Sequence, residues 1–178
     1  GALTAASTGG TVQAVTGDLG ALTTTTGDLG GTVTVAGAAT TLDAAADLTA
    51  TVTVGTTLDT LTVTGDLSGG VTTGGAVLTQ VSAGALSGTL DIGGTLPDLD
   101  VAGTLSGAVT AAGTVTDVDV GGDLSGSLTT AAGVAIDTVT VTGDLSGTVR
   151  AGTVAAAGRG AIDAVHYTAV TGAGTVQG

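Results

Sequence analysis

The stretch Gly65-Asp66-Leu67-Ser68-Gly69-Gly70-Val71 returns down the chain, and its spacing decides the fold. Variants of it open at Gly27, Ala46, Gly65, Gly84, Gly103 and Gly122, each 19 residues after the last, and then at Gly143 after a step of 21. A fixed step of this size marks a solenoid. One repeat forms one coil, and that coil buries its apolar face only against the coils beside it.

Laid at this step, the residues fall into columns. One reads Leu29, Leu48, Leu67, Leu86, Leu105, Leu124, Leu145, and another Val33, Val52, Val71, Leu90, Val109, Leu128, Val149. A third reads Leu42, Leu61, Gln80, Leu99, Val118, and a fourth Ala44, Val63, Ser82, Val101, Val120. The segments 58–64 and 136–142 show the apolar/polar alternation of half-buried strands. Columns of this kind point inward and stack at roughly 4.8 Å, the spacing of hydrogen-bonded strands. Successive coils run the same way, so the sheets are parallel. The expected fold is all-β: a right-handed parallel β-helix (a β-solenoid) of about 19 residues per coil. About eight coils make a rod roughly 40 Å long.

Composition agrees. Hydrophobic residues are 42% of the 178, aromatics 1%, and Tyr167 is the only aromatic. A core without Phe, Trp or Met is thin and aliphatic, which suits a solenoid interior. The 34 glycines have no Gly-x-y period, which excludes collagen. The chain reads as a single domain, 1–178, with regular coils over 27–150 and irregular terminal coils over 1–26 and 151–178. An Ala/Gly-rich insertion falls at 155–160. The Ser-Gly pairs at 68–69, 87–88, 106–107, 125–126 and 146–147 mark a corner where Gly is expected at positive φ. Pro97 sits beside a strand start. Neither end shows an obvious cap, so further coils are expected to add there, as a longer solenoid or by self-association end to end.

The net charge is −13 with a pI near 4.1; every acid is Asp, and Arg150 and Arg159 are the only strong bases. So acidic a surface repels phosphate backbones and anionic headgroups, which argues against nucleic acid as a partner. No apolar run approaches the roughly 20 residues of a membrane helix, so membrane insertion is not expected. Cysteine is absent, so no disulfide supports the fold.

The Gly-x-Leu…Gly-x-Val skeleton over residues 27 to 150 resembles the right-handed parallel β-helices of large secreted surface proteins. Coil length makes it most similar to filamentous-haemagglutinin-type adhesins. The resemblance implies an extracellular or cell-surface stalk or fibre and no catalytic residues.

Three outward constellations carry the functional expectations. Asp98 and Asp100 share a strand, and Asp117 and Asp119 are expected directly over them. Four carboxylates within about 5 Å of a neighbour repel unless a cation compensates, and hard oxygen ligands suit Ca²⁺, so these four form the candidate metal site. The alternative is four solvated carboxylates with raised pKa values. A second column, Asp28, Asp47, Asp66, Asp123 and Asp144, interrupted by Ala85 and Thr104, follows the bend glycine, where Asp accepts from nearby backbone N–H groups. Thr32/Thr34 over Thr51/Thr53, continued by Thr72, Thr110 and Thr129, forms an outward Thr array of the kind seen in ice-binding solenoids; Gly70, Asp91 and Ala108 break it. Catalysis is not expected: the coils that hold the Asp cluster carry no aromatic, and Arg150, Arg159, His166 and Tyr167 lie several coils away. The terminal group suits either an ordinary coil end, with the arginines paired to Asp144 or Asp163, or an end-to-end interface. The expected role is that of a non-enzymatic extracellular structural protein, a stiff segment of a cell-surface adhesin, sheath or matrix fibre. The alternative role is ice binding.

Overall fold

The computed structural model describes residues 1–5, 11–14, 17–152, 162–169 and 175–177. In chain order the first strands are β1 (Ala2–Ala5), β2 (Thr11–Ala14), β3 (Leu19–Thr24), β4 (Thr32–Val35), β5 (Ala39–Ala44) and β6 (Thr51–Val54). There follow β7 (Leu58–Leu67), β8 (Gly70–Thr73), β9 (Val77–Leu86), β10 (Thr89–Ile92), β11 (Leu96–Val101) and β12 (Ala108–Ala111). The last are β13 (Val115–Val120), β14 (Ser127–Ala132), β15 (Ile136–Asp144), β16 (Thr148–Gly152), β17 (Ile162–Ala169) and β18 (Thr175–Gln177). Odd-numbered strands form one nine-stranded sheet and even-numbered strands another, each in unbroken chain order. Among the described residues every pairing is parallel, with partners 18 to 21 residues apart as far as β16 and 25 to 27 apart where β17 and β18 join. The result is a β-solenoid of about seven turns, one fewer than the repeat count suggested, with the outermost strands at each end extending the sheets.

A third wall closes the coil between the two sheets. There the leucine column pairs through single parallel bridges, Leu29 to Leu48 to Leu67 and Leu86 to Leu105 to Leu124 to Leu145, with Leu67 opposite Leu86 inside the first sheet. Leucines 29 to 124 in this column are wholly buried. The core is aliphatic throughout. Among the described residues its buried polar side chains are Thr24, Thr73 and Thr130, and each hydroxyl has a partner: Thr24 Oγ1 accepts from Ala45 N at 3.0 Å, Thr73 Oγ1 donates to Gly75 O at 2.6 Å, and Thr130 Oγ1 donates to Val134 O at 2.9 Å.

Two columns differ from the sequence reading. Leu61 pairs with Val81, and Leu99 also with Val81; Val63 and Val101 both meet Ala83. Gln80 and Ser82 therefore face outward. Strand β9 takes in one extra residue after Val77 and gives it back at Gly84, where the register returns to Asp66 opposite Ala85. One residue there covers two, and a Cβ on Gly84 would stand 2.4 Å from Thr64 O and 2.7 Å from Gly65 O, so only glycine fits. The shift is forced by polarity: a one-residue slip swaps the faces of a strand, and an inward Gln80 would lose its hydrogen bonds to water.

The Ser-Gly corner also differs. Positive φ occurs among the described residues only at Gly31 (φ 79°) and Gly133 (φ 76°), outside the Ser-Gly pairs. The corner glycines are required for close approach instead. A Cβ on Gly88 would lie 1.9 Å from Gly69 O, and one on Gly107 2.0 Å from Gly88 O. Each coil's carbonyl occupies the space a side chain would need.

At the N-terminal side the stacking reaches further than the regular repeat. Strand β3 lies under β5, with Leu22 in the column of Leu42. The extra Gly17-Asp18-Leu19 sits beneath Gly37-Ala38-Ala39: Gly37 N donates to Gly17 O and Leu19 pairs with Ala39. The 21-residue step is absorbed near Ala131 to Val134, where the β14–β16 register shifts around the positive-φ Gly133. The expected insertion at 155–160 lies outside the described residues.

Candidate functional site

The four-carboxylate cluster forms as the repeat requires. Asp98 pairs with Asp117 and Asp100 with Asp119 across β11 and β13. Their neighbours on either side are uncharged: Ser82 beside Asp100 on β9, and Thr138 and Thr140 beside Asp117 and Asp119 on β15. Asp98 is partly buried and its carboxyl pKa is raised above the ordinary 3.8, chiefly by desolvation, then by Asp117, Asp100 and Asp119 in that order. Carboxylates on a flat ladder stand side by side. Among the described residues no group of three or more His, Cys, Asp or Glu is gathered closely enough to hold a metal ion.

The Asp column after the bend does something the sequence reading did not foresee: it binds the next coil. Asp47 N donates to Asp28 Oδ1 at 3.2 Å, Asp66 N to Asp47 Oδ1 at 2.9 Å, and Asp144 N to Asp123 Oδ1 at 2.8 Å. Asp66 accepts instead from Ser87, from its N at 3.2 Å and its Oγ at 2.7 Å, beside the point where the β7–β9 register returns at Gly84. Asp18 accepts likewise from Ala38 N at 2.8 Å. The glycine before each Asp makes room. A Cβ on Gly65 would stand 2.1 Å from Asp47 Oδ1, and one on Gly143 2.3 Å from Asp123 Oδ1. Where Ala46 replaces that glycine, the bond below it is the longer one, at 3.2 Å. The signal was in the sequence, as Asp recurring at 19 rather than within one turn.

The two flat faces differ in charge. The first sheet presents Asp43, Asp59, Asp98, Asp100, Asp117, Asp119 and Asp137 outward; Thr79 Oγ1 donates to Asp59. The second presents mainly Thr: Thr32 over Thr51, and Thr34, Thr53 and Thr72 in one column. That column then runs through Asp91, Thr110 and Thr129 to Arg150. Thr110 Oγ1 donates to Asp91 Oδ1 at 3.0 Å. A shallow depression of about 260 Å³ lies here, lined by Asp91, Thr110, Ala111, Ala112, Thr129, Thr130 and Ala131.

Of the terminal group, Arg150 is exposed on β16, and Arg159 lies outside the described residues. In β17, Thr140 pairs with His166 and Val141 with Tyr167. No protein-family model, curated protein or solved structure matches the chain.

Proposed function

We propose that the chain is a stiff, non-enzymatic structural segment of an extracellular adhesin, sheath or matrix fibre. The observation that carries the reading is the unbroken leucine column from Leu29 to Leu145, buried and in register through every regular coil. Each coil adds one rung of backbone hydrogen bonds and one layer of aliphatic packing, so length comes from repetition and each rung leans only on its neighbours. Asp carboxylates that bind the next coil's N–H groups add a second longitudinal tie. The similarity in coil length to filamentous-haemagglutinin-type adhesins supports a place at the cell surface, as does an acidic surface lacking Lys, which leaves few sites for trypsin-like cleavage. Ice binding is the weaker reading: Asp91 stands within the Thr column, and a charge on a lattice-matching plane holds liquid water.

Antibody labelling of intact source cells tests the reading. Surface label is expected, and label that appears only after permeabilisation would overturn it. Thermal hysteresis of a dilute solution tests ice binding, and a measurable freezing-point gap would replace the structural reading.

A further inference from the structure

A rod of net charge −13 repels its own copies on every side where carboxylates face out. Among the described residues the first sheet turns Asp43, Asp59, Asp98, Asp100, Asp117, Asp119 and Asp137 outward, and the Asp column lines the corner. The second sheet is different. Among the described residues its outer face carries two charges only, Asp91 on β10 and Arg150 on β16, of opposite sign. They stand in one column with Thr110 and Thr129 between them, three rungs or about 14 Å apart.

We propose that two copies of this chain pair face to face through the second sheet, with their rods antiparallel. The two-fold axis runs along the strand direction between β12 and β14. Such an axis keeps each column facing itself while reversing the order of rungs. Asp91 then meets the partner's Arg150, Arg150 meets the partner's Asp91, and Thr110 meets the partner's Thr129. An isologous contact makes each pair twice. The other face-to-face two-fold, along the rod, sets Asp91 against Asp91 and Arg150 against Arg150. The charge pattern therefore selects the antiparallel pair. The depression beside Asp91, Thr110 and Thr129 lies next to the axis and leaves room for the long arginine side chain to lie along the face. This pairing rests on the fold and charge placement alone and holds whatever the rod does. About six rungs overlap, a footprint of roughly 29 Å by 13 Å, which is well below a standard interface, so the dimer is weak.

Sedimentation equilibrium of the whole chain, up to about millimolar concentration, tests it. Wild type is expected as a reversible monomer–dimer equilibrium that stops at two. Asp91→Arg or Arg150→Asp turns both attractive pairs repulsive and should raise the dimer dissociation constant about tenfold or more. The double variant D91R/R150D restores the pairs and should bring the constant back towards wild type. Thr110→Arg, which puts bulk at the axis on an exposed position, should also abolish the dimer while circular dichroism shows the fold unchanged. A strictly monomeric wild type overturns the proposal. So do single variants that dimerise like wild type, or a double variant no better than the singles. Growth beyond two copies that is indifferent to both charges also overturns it, in favour of stacking at the rod ends.

Discussion

Replacing Asp98 by Asn should make the rod more stable at neutral pH, although it removes a charge from a solvated surface. Asp98 and Asp117 are direct partners on adjacent parallel strands, so their side chains stand about 4.8 Å apart. In water, two unit charges at that distance repel by about 0.9 kcal/mol, and screening at physiological salt leaves about 0.5 kcal/mol. Asp100, two residues along the strand, adds about 0.3 kcal/mol, and the diagonal Asp119 about 0.2 kcal/mol. Removing the Asp98 charge thus relieves about 1 kcal/mol, or a rise in Tm of roughly 2–4 °C for a chain of this size.

The pH dependence gives the sign. The Asp98 pKa is raised in the folded state, first by desolvation and then by Asp117, Asp100 and Asp119. A carboxyl that holds its proton more tightly when folded destabilises the fold once ionised. That cost is fully present at pH 7 and disappears as pH falls through the raised folded-state value towards the ordinary 3.8. Thermal melts of wild type and Asp98→Asn at pH 7, 5 and 3 should therefore show a gap at pH 7 that closes by pH 3. At 1 M salt the gap at pH 7 should shrink, because the screening length drops to about 3 Å. A variant that melts below wild type at pH 7, or a gap that does not change with pH, would refute the ladder electrostatics.

Other positions test the coil-to-coil contacts. Leu67→Asp places a charge in the wholly buried leucine column and should unfold the adjacent coils, seen as loss of far-ultraviolet strand signal at 25 °C. Gly88→Ala forces a methyl onto Gly69 O and should lower stability by more than about 2 kcal/mol in denaturant titration. Gly70→Ala, whose nearest atom is the Thr89 Oγ1 at 3.1 Å, should be nearly neutral or stabilising. Asp123→Ala removes the acceptor for Asp144 N and should cost about 1 kcal/mol in the same titration; an unchanged midpoint would show that water replaces it.

The column arithmetic read off the chain survives wherever no bulge falls within the strand that carries the column. Leu29 to Leu145 and Val33 to Val149 stack as their spacing requires, since a buried Leu or Val has one face to fill and no alternative partner of its size. Counting could not separate two reasons for glycine. A Ser-Gly pair suits both a left-handed turn and a squeeze between coils, and the distance from Gly88 to Gly69 O exists only once the coils are stacked. The reach of Asp123 to Asp144 N is of the same kind: an Asp after a bend glycine suits a local turn, and only the neighbouring coil supplies the donor it uses. Charge placement was legible in part. Asp98 over Asp117 follows from the step, whereas the sparing of the second sheet emerges only when the two faces are told apart.

Strand β9 shows why constant spacing is a weaker guide than polarity. At a rigid step of 19, Gln80 would enter the column of Leu61 and Leu99, and Ser82 that of Val63 and Val101. Burying an unpaired amide there costs about 1–3 kcal/mol, and losing the packing of Val81 adds about as much again. Bulging one residue after Val77 costs a local disruption of the ladder and no buried polar group. The bulge wins, and Gly84 makes it reversible by letting the strand return to register within one residue. The two readings separate cleanly on substitution. Val81→Gln should cost about 2 kcal/mol or more, while Gln80→Val, on an outward half-exposed position, should change stability by less than about 0.5 kcal/mol. Had the rigid step been obeyed, Gln80→Val would fill the core and stabilise the rod strongly, and that result in a denaturant titration would overturn the observed register.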